Sequence, residues 1–389
     1  MEQLTRFRAE LADWLELNCP PSMRTPMPES ESPLGGGKIP PPNPETAIWM
    51  NRCADRGLTL PLVPKEYGGG GMTHAQAAIY YEELDRLGMR LPLMGTGPAM
   101  VAPTLVQFGT DEQKLYYLPR IVRGIDRWAQ GFSEPEAGSD LAALRLAAVR
   151  EGEDYVLNGQ KIWNSWADKS DLLITLVRTD PRAQPRQRGI SILMINLDLP
   201  GVIVRPIRML NGDAEFCEVF FDNVRVPVSC RLGPENDGWS VTKWFLVADR
   251  RSSRRWFDAI MDLDLPSLWR ASGDPSPELA STVAANELDQ MAINLTLDRV
   301  ERLEAEGQNV DLYANVIKYW QMEHLKRRYD LASLLGENCR IGWSDELQDK
   351  KDIKLTKEWL YSRAHSLGGG SSEVQLNIIA KHGLQLPGA

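Results

Sequence analysis

The spacing of apolar residues changes period twice along this chain of 389 residues, and that double change restricts the folds open to it. Near the start, Leu4, Phe7, Leu11 and Leu15 recur at steps of three and four, the stripe of an amphipathic helix. Residues 20–44 hold nine prolines and the run Gly35-Gly36-Gly37, which predicts a loop. Thr73 can cap a helix running through Glu82 and Leu87 to Gly88, and Thr110 with Gln113 forms a capping box for another that ends near Gly124. From about residue 127 the period shortens. Strands are predicted at Tyr155–Leu157 and Lys161–Trp163, joined by a tight turn at Asn158-Gly159, and at Leu172–Val177, Ile190–Ile195, Val202–Ile207 and Val219–Val226. Helical spacing returns after Gly238, with a core helix over Asn315–Leu335 and a last one over Glu373–Leu384. Helices, then strands, then helices predict an α+β protein: an N-terminal helical domain (1–126), a middle antiparallel β domain of barrel or sandwich type (127–236) and a C-terminal helical domain (237–389).

A chain this long exceeds what one hydrophobic core usually holds, which agrees with several domains. Its net charge of −9 argues against nucleic acid as a main partner, because phosphate binding needs a positive field. Five cysteines and four histidines are scattered, with no Cys-x-x-Cys pair and no ligand spacing, so neither a disulfide framework nor a metal site is expected. The N-terminal Met-Glu-Gln-Leu-Thr-Arg lacks a leader pattern, and no apolar run reaches about 18 residues. A cytoplasmic protein with no membrane span is expected.

Three stretches of the β region carry the chemistry: GFSEPEAGSD at 131–140, NGQKIWNSWADKSD at 158–171 and RGISILMINLDLPGVIVRPIRMLNGDAEFCEVFFDNVRVP at 188–227. In this order and spacing they resemble the middle domain of the FAD-dependent acyl-CoA dehydrogenase family, and GGGSSEVQLNIIAKHGLQLP at 368–387 resembles that family's last helix. The resemblance implies a C-terminal four-helix bundle, FAD as cofactor, an acyl-CoA substrate and an electron-transferring flavoprotein as partner. It places Gln130, Phe132 and Ser133 at the flavin, Trp163 against its ring face, and Ser165 with its hydroxyl towards the N5 edge. Ser139 falls where the family meets the CoA arm, and Ser371 and Glu373 where the last helix meets cofactor. The chemistry suits these residue types, since hydroxyl and amide donors stabilise charge that builds on a reduced flavin and a flat aromatic excludes water from it. Taken singly, Trp163 reads as a core residue and the serines as ordinary strand residues. Trp166 stands where the family commonly has a small residue.

Desaturation of an acyl-CoA also needs a carboxylate to take the α-proton, and a desolvated one serves best. Many family members carry a glutamate two residues before the hydroxyl residue of the last-helix motif, where this chain has Gly369. Other members place the base on an earlier helix in a pattern ending Glu-Arg. The matching dipeptide here is Asp249-Arg250, which makes Asp249 the candidate base and Arg250 a candidate substrate contact. The plain alternative is an exposed acid among Arg250, Arg251, Arg254 and Arg255, a basic stripe of helical spacing. Two motifs that hold the far half of FAD across the family's subunit interface are missing: residues 251–275 hold no Arg-x-x-Phe-Gly turn, and 333–345 reads SLLGENCRIGWSD in place of Gln-aromatic-Gly-Gly. Three readings stay open: a working acyl-CoA dehydrogenase; a non-catalytic or half-site subunit of a homo- or hetero-oligomer (a dimer of dimers) with a paralogous partner; or a flavin oxidase or monooxygenase. By analogy the missing motifs point to branches acting on bulky, steroid-like acyl groups.

Overall fold

A computed structural model describes residues 2–246, 263–273, 276–335 and 350–387. Asp249 and Arg250, the neighbouring arginines and most of 333–345 lie outside these described residues. The chain divides into two compact units, one of Met1–Ile207 with Ala214–Ala248 and one of Arg208–Asp213 with Asp249–Ala389.

In the first unit the predicted helical stripe forms α1 (Glu2–Asn18), which buries Leu11 and Leu15. It shares a core with Trp49 and Cys53 of α2 (Pro44–Asp55) and with Ile79, Tyr80 and Leu84 of α3 (His74–Arg86). The proline-rich loop contributes two short 3-10 turns, Pro21–Arg24 and Glu29–Glu31. The predicted cap at Thr73 forms as a full box with Gln76 and opens α3, and the predicted box of Thr110 with Gln113 opens α5 (Asp111–Val122), which follows α4 (Ala102–Phe108). Each box satisfies amides that the first helical turn leaves without a partner.

The strands are β1 (Trp128–Gly131), β2 (Ala147–Glu151), β3 (Asp154–Ser165), β4 (Leu172–Arg178), β5 (Ile190–Asn196), β6 (Val202–Pro206), β7 (Phe216–Pro227) and β8 (Arg231–Leu232). They pair in the order β6-β7-β3-β2-β4-β5-β8, with β1 added to β4. The sheet is not wholly antiparallel as expected, because β1 and β2 meet β4 in parallel. The near-continuous apolar runs of β4 and β5 follow from burial on both faces. Ile174, Leu176, Ile192 and Met194 point into a core shared with Leu105 of α4 and Leu118 and Ile121 of α5. Leu173, Val177, Leu193 and Ile195 point into a second core inside the β layer.

The turn expected at Asn158-Gly159 does not form. β3 runs straight through both residues, because the segments on either side pair with the same strand, β7, with a register shift between Leu157 and Gly159. The pair therefore builds a bulge, with Gly159 at φ +142° and a Cβ there only 3.1 Å from the Leu146 Cα. The chain instead reverses between β2 and β3 around Gly152, at φ +64°.

A helical stretch, α6 (residues 238–246), closes the first unit and sends Val241 and Phe245 into its core. The second unit is helical: α7 (Leu265–Ser272), α8 (Pro277–Ala305), α9 (Asp311–Leu335), α10 (Lys350–His365) and α11 (Ser372–Ile378), the last continued by a π turn over Ile379–Gly383. The predicted helix over 315–335 forms within α9, whose Ile317, Met322, Leu325, Tyr329 and Leu331 are buried. The buried Arg328 guanidinium donates to Asn286 Oδ1 at 2.9 Å and Glu287 Oε1 at 2.7 Å, which ties α9 to α8.

Candidate functional site

The first two motifs meet where β1 and β3 end. The Ile162 amide donates to the Ser133 carbonyl at 3.0 Å, and the Lys161 ammonium donates to the Phe132 carbonyl at 3.0 Å. The Gly131 carbonyl accepts from the Thr175 hydroxyl of β4. Three consecutive carbonyls are thus held from inside the protein. Gln130, within β1, is paired in register with Ile174. Phe132 is buried and tilts against Phe245 of α6, ring centroids 5.1 Å apart, while Ser133 is half-buried.

Lys161 is fully enclosed and forms an ion pair with Glu134 at 2.8 Å. Burial pushes its ammonium down to about 8, against the attraction of Glu134. The Glu134 carboxylate also accepts the backbone amides of Arg145 at 2.6 Å and Leu146 at 2.9 Å. It thereby closes the loop on which Ser139 stands exposed.

Further along β3, Trp163 and Trp166 adopt left-handed backbone angles, φ +63° and +49°. Each costs a non-glycine residue about 1–3 kcal/mol, and such strain collects at functional sites. Trp163 is 55% exposed and meets the Phe216 ring edge-on at 5.9 Å, so one indole face is presented outward. Asn164 turns the other way, is buried, and donates to the Cys217 carbonyl at 2.9 Å. Ser165 is half-buried. The large Trp166 is absorbed by the first unit itself: its amide donates to the Glu215 carbonyl at 2.7 Å, and the Arg127 guanidinium lies 5.5 Å from its ring.

In the second unit, Ser371 caps α11 by accepting the Val374 amide at 3.4 Å. Ser372 donates to Glu323 at 2.6 Å. Glu373 is exposed at the start of α11, where its own backbone amide and the Ser371 hydroxyl hold its carboxyl below the usual range. That environment makes a weak base. Gly369 and Gly370 take φ +68° and +93°, and both carbonyls accept from the Gln375 amide group at 3.5 and 3.3 Å. The candidate base Asp249 lies outside the described residues. Sequence reasoning missed Lys161 and Glu134; the one signal was a lysine at the same strand parity as the buried Tyr155 and Leu157.

Two family models match the chain: the N-terminal domain of acyl-CoA dehydrogenases over residues 6–125 and the middle domain over residues 129–224. Acyl-CoA dehydrogenase IpdE1 of Mycobacterium tuberculosis is 34% identical over 398 residues, covering 100% of this chain and 99% of the relative. Among solved structures, the Tcur3481-Tcur3483 steroid ACAD is 28% identical, with a TM-score of 0.75 over 100% of this chain and 99% of that one. The ChsE4-ChsE5 complex from Mycobacterium tuberculosis is 27% identical, with a TM-score of 0.71 over 100% of this chain and 99% of that one. The chain belongs to the acyl-CoA dehydrogenase family, a family of FAD-dependent oxidoreductases. Its residues fit that cofactor: an exposed indole face on a strained strand end stands next to a backbone whose carbonyls are already engaged.

Proposed function

We propose that the chain desaturates a CoA thioester between its α and β carbons and that the electrons pass to an electron-transferring flavoprotein. The observation that supports this best is the hydrogen bond from the Ile162 amide to the Ser133 carbonyl, which joins the two flavin motifs. Bound FAD would supply the acceptor for two electrons and the β-hydrogen. Gln130, Phe132 and Ser133 would bind its ring edge, Trp163 would cover a face and exclude water, and Ser165 would orient the N5 edge. Ser139 and Arg250 would hold the CoA thioester. Ser371 and Glu373 would touch cofactor from the last helix, and Asp249 would take the α-proton. In this reading residues 1–126, 127–236 and 237–389 form three domains of a cytoplasmic enzyme. Among the described residues no helix is long and apolar enough to cross a membrane.

A second reading, a half-site subunit paired with a paralogous chain in a dimer of dimers, draws on Gly369 and the two missing interface motifs. The names of the two solved relatives, each of which joins two gene products, lend it support, and the word "steroid" in one supports a bulky acyl group. The visible spectrum and mass of the chain, expressed alone and with a paralogous subunit, test both. A homotetramer with one FAD per chain excludes the half-site reading. A flavin-free chain that stays colourless even with its partner excludes the first.

A further inference from the structure

We propose that the buried Lys161–Glu134 pair is a positioning element that sets the Phe132–Ser133 backbone and the Ser139 loop together, giving flavin and CoA contacts a common anchor. The inference rests on the flavin reading above. Replacing a buried ion pair by apolar side chains of similar size is often neutral or favourable to stability, so stability alone is a poor account of it. Its hydrogen bonds are more specific. Lys161 donates to the Phe132 carbonyl and to Glu134, and Glu134 takes the Arg145 and Leu146 amides with its two oxygens. The Glu134 amide and carbonyl exchange hydrogen bonds with those of Ala137, both at 3.0 Å, which turns the chain towards Ser139. Lys161 also sits on β3 just ahead of Trp163 and Ser165. One charged contact therefore joins the Phe132 backbone at the flavin residues, both ends of the CoA loop and the strand that carries the indole. An apolar pair could fill the space but would leave the Phe132 carbonyl and two amides without partners.

The test uses the full chain carrying FAD. Amide exchange in the parent protein comes first, since it needs no variant. The amides of Arg145, Leu146 and Ile162 should open as one unit, with matching protection. Much faster, independent exchange at Arg145 and Leu146 would overturn the proposal. The double variant Lys161→Met/Glu134→Leu leaves no lone buried charge. It should fold yet exchange faster across residues 131–146, and should lose about tenfold or more in affinity for FAD and for free coenzyme A. A folded double variant with parental exchange and parental affinities refutes the anchor. Ser133→Ala, measured in parallel, separates the two ideas. If it leaves FAD affinity and spectrum unchanged while the double variant loosens the loop, the flavin placement fails and the anchor over the loop stands.

Discussion

Trp163 meets Phe216 edge-on, with ring centroids 5.9 Å apart and planes at 87°, although its own backbone is held at φ +63°. The contact spends a strained backbone on an indole that remains largely exposed. An edge-to-face pair contributes about 0.5–1.5 kcal/mol, while the left-handed conformation costs about 1–3 kcal/mol. At mid-range the two leave a net cost of only about 1 kcal/mol for folding.

Trp163→Gly should accordingly shift the melting temperature of the flavin-free protein by no more than a few degrees. FAD affinity should nevertheless fall by about tenfold or more, since loss of a stacked aromatic removes ~0.5–1.5 kcal/mol in addition to its buried area. Thermal unfolding and FAD titration on one preparation check this; parental FAD affinity contradicts the placement of the ring.

Ser165→Ala should make the bound flavin harder to reduce. A hydrogen bond to a charged group contributes about 1.5–3 kcal/mol, equivalent to ~30–60 mV for a two-electron couple. Spectroelectrochemical titration reads this directly, and a potential equal to the parent's removes Ser165 from the N5 edge.

Asp249→Asn should leave FAD and acyl-CoA binding intact while slowing anaerobic bleaching of the flavin by ~10²–10⁴-fold, the usual contribution of a general base. Asp249→Glu, one methylene longer, should retain activity. Bleaching of the Asn variant at the parental rate moves the base elsewhere. Glu373 would be a poor substitute, since its carboxyl is held low at the start of α11.

Acid should destabilise the second unit well before its carboxylates are protonated. His324 is fully enclosed, with Nε2 3.0 Å from Gln290 Oε1, and burial pushes it down to about 4; His365 is likewise pushed down by burial to about 4. Both folded values lie below the unfolded one of ~6.5. The unfolded chain therefore binds more protons between these limits, and stability, complete above about pH 6.5, falls as pH drops towards 4 at up to ~1.4 kcal/mol per pH unit and per histidine. His324→Gln should flatten the slope of urea-unfolding stability against pH by up to half. An unchanged slope means that His324 is not buried as a neutral ring.

Local signals were legible in the sequence and long-range ones were not. Thr110 and Gln113 lie three residues apart, so their capping box could be read before any fold was known, as could the cap at Thr73. The runs of β4 and β5 were equally plain, because burial on both faces leaves no polar alternation. Asn158-Gly159 has the composition of a hairpin turn, yet β7 pairs with the residues on both sides and makes it a bulge. Partner strands are invisible to a local pattern. β1, four residues long, offered too short a run to identify. Lys161 and Glu134 stand 27 positions apart, and nothing in either neighbourhood announces that they touch. Of the candidate site, the flavin residues were found only through their motifs, since Trp163 and Ser165 are unremarkable residue types for a strand.

The left-handed turn at Gly369 and Gly370 also bears on how this branch could change. A carboxylate cannot be restored at Gly369 by one substitution without forcing a side-chain-bearing residue to φ +68°. Next door, a Cβ on Gly370 would come within 2.6 Å of the Gln375 amide nitrogen and displace the end of that side chain. A side chain at Gly369 would therefore carry the backbone cost of about 1–3 kcal/mol that this chain already bears at Trp163 and Trp166.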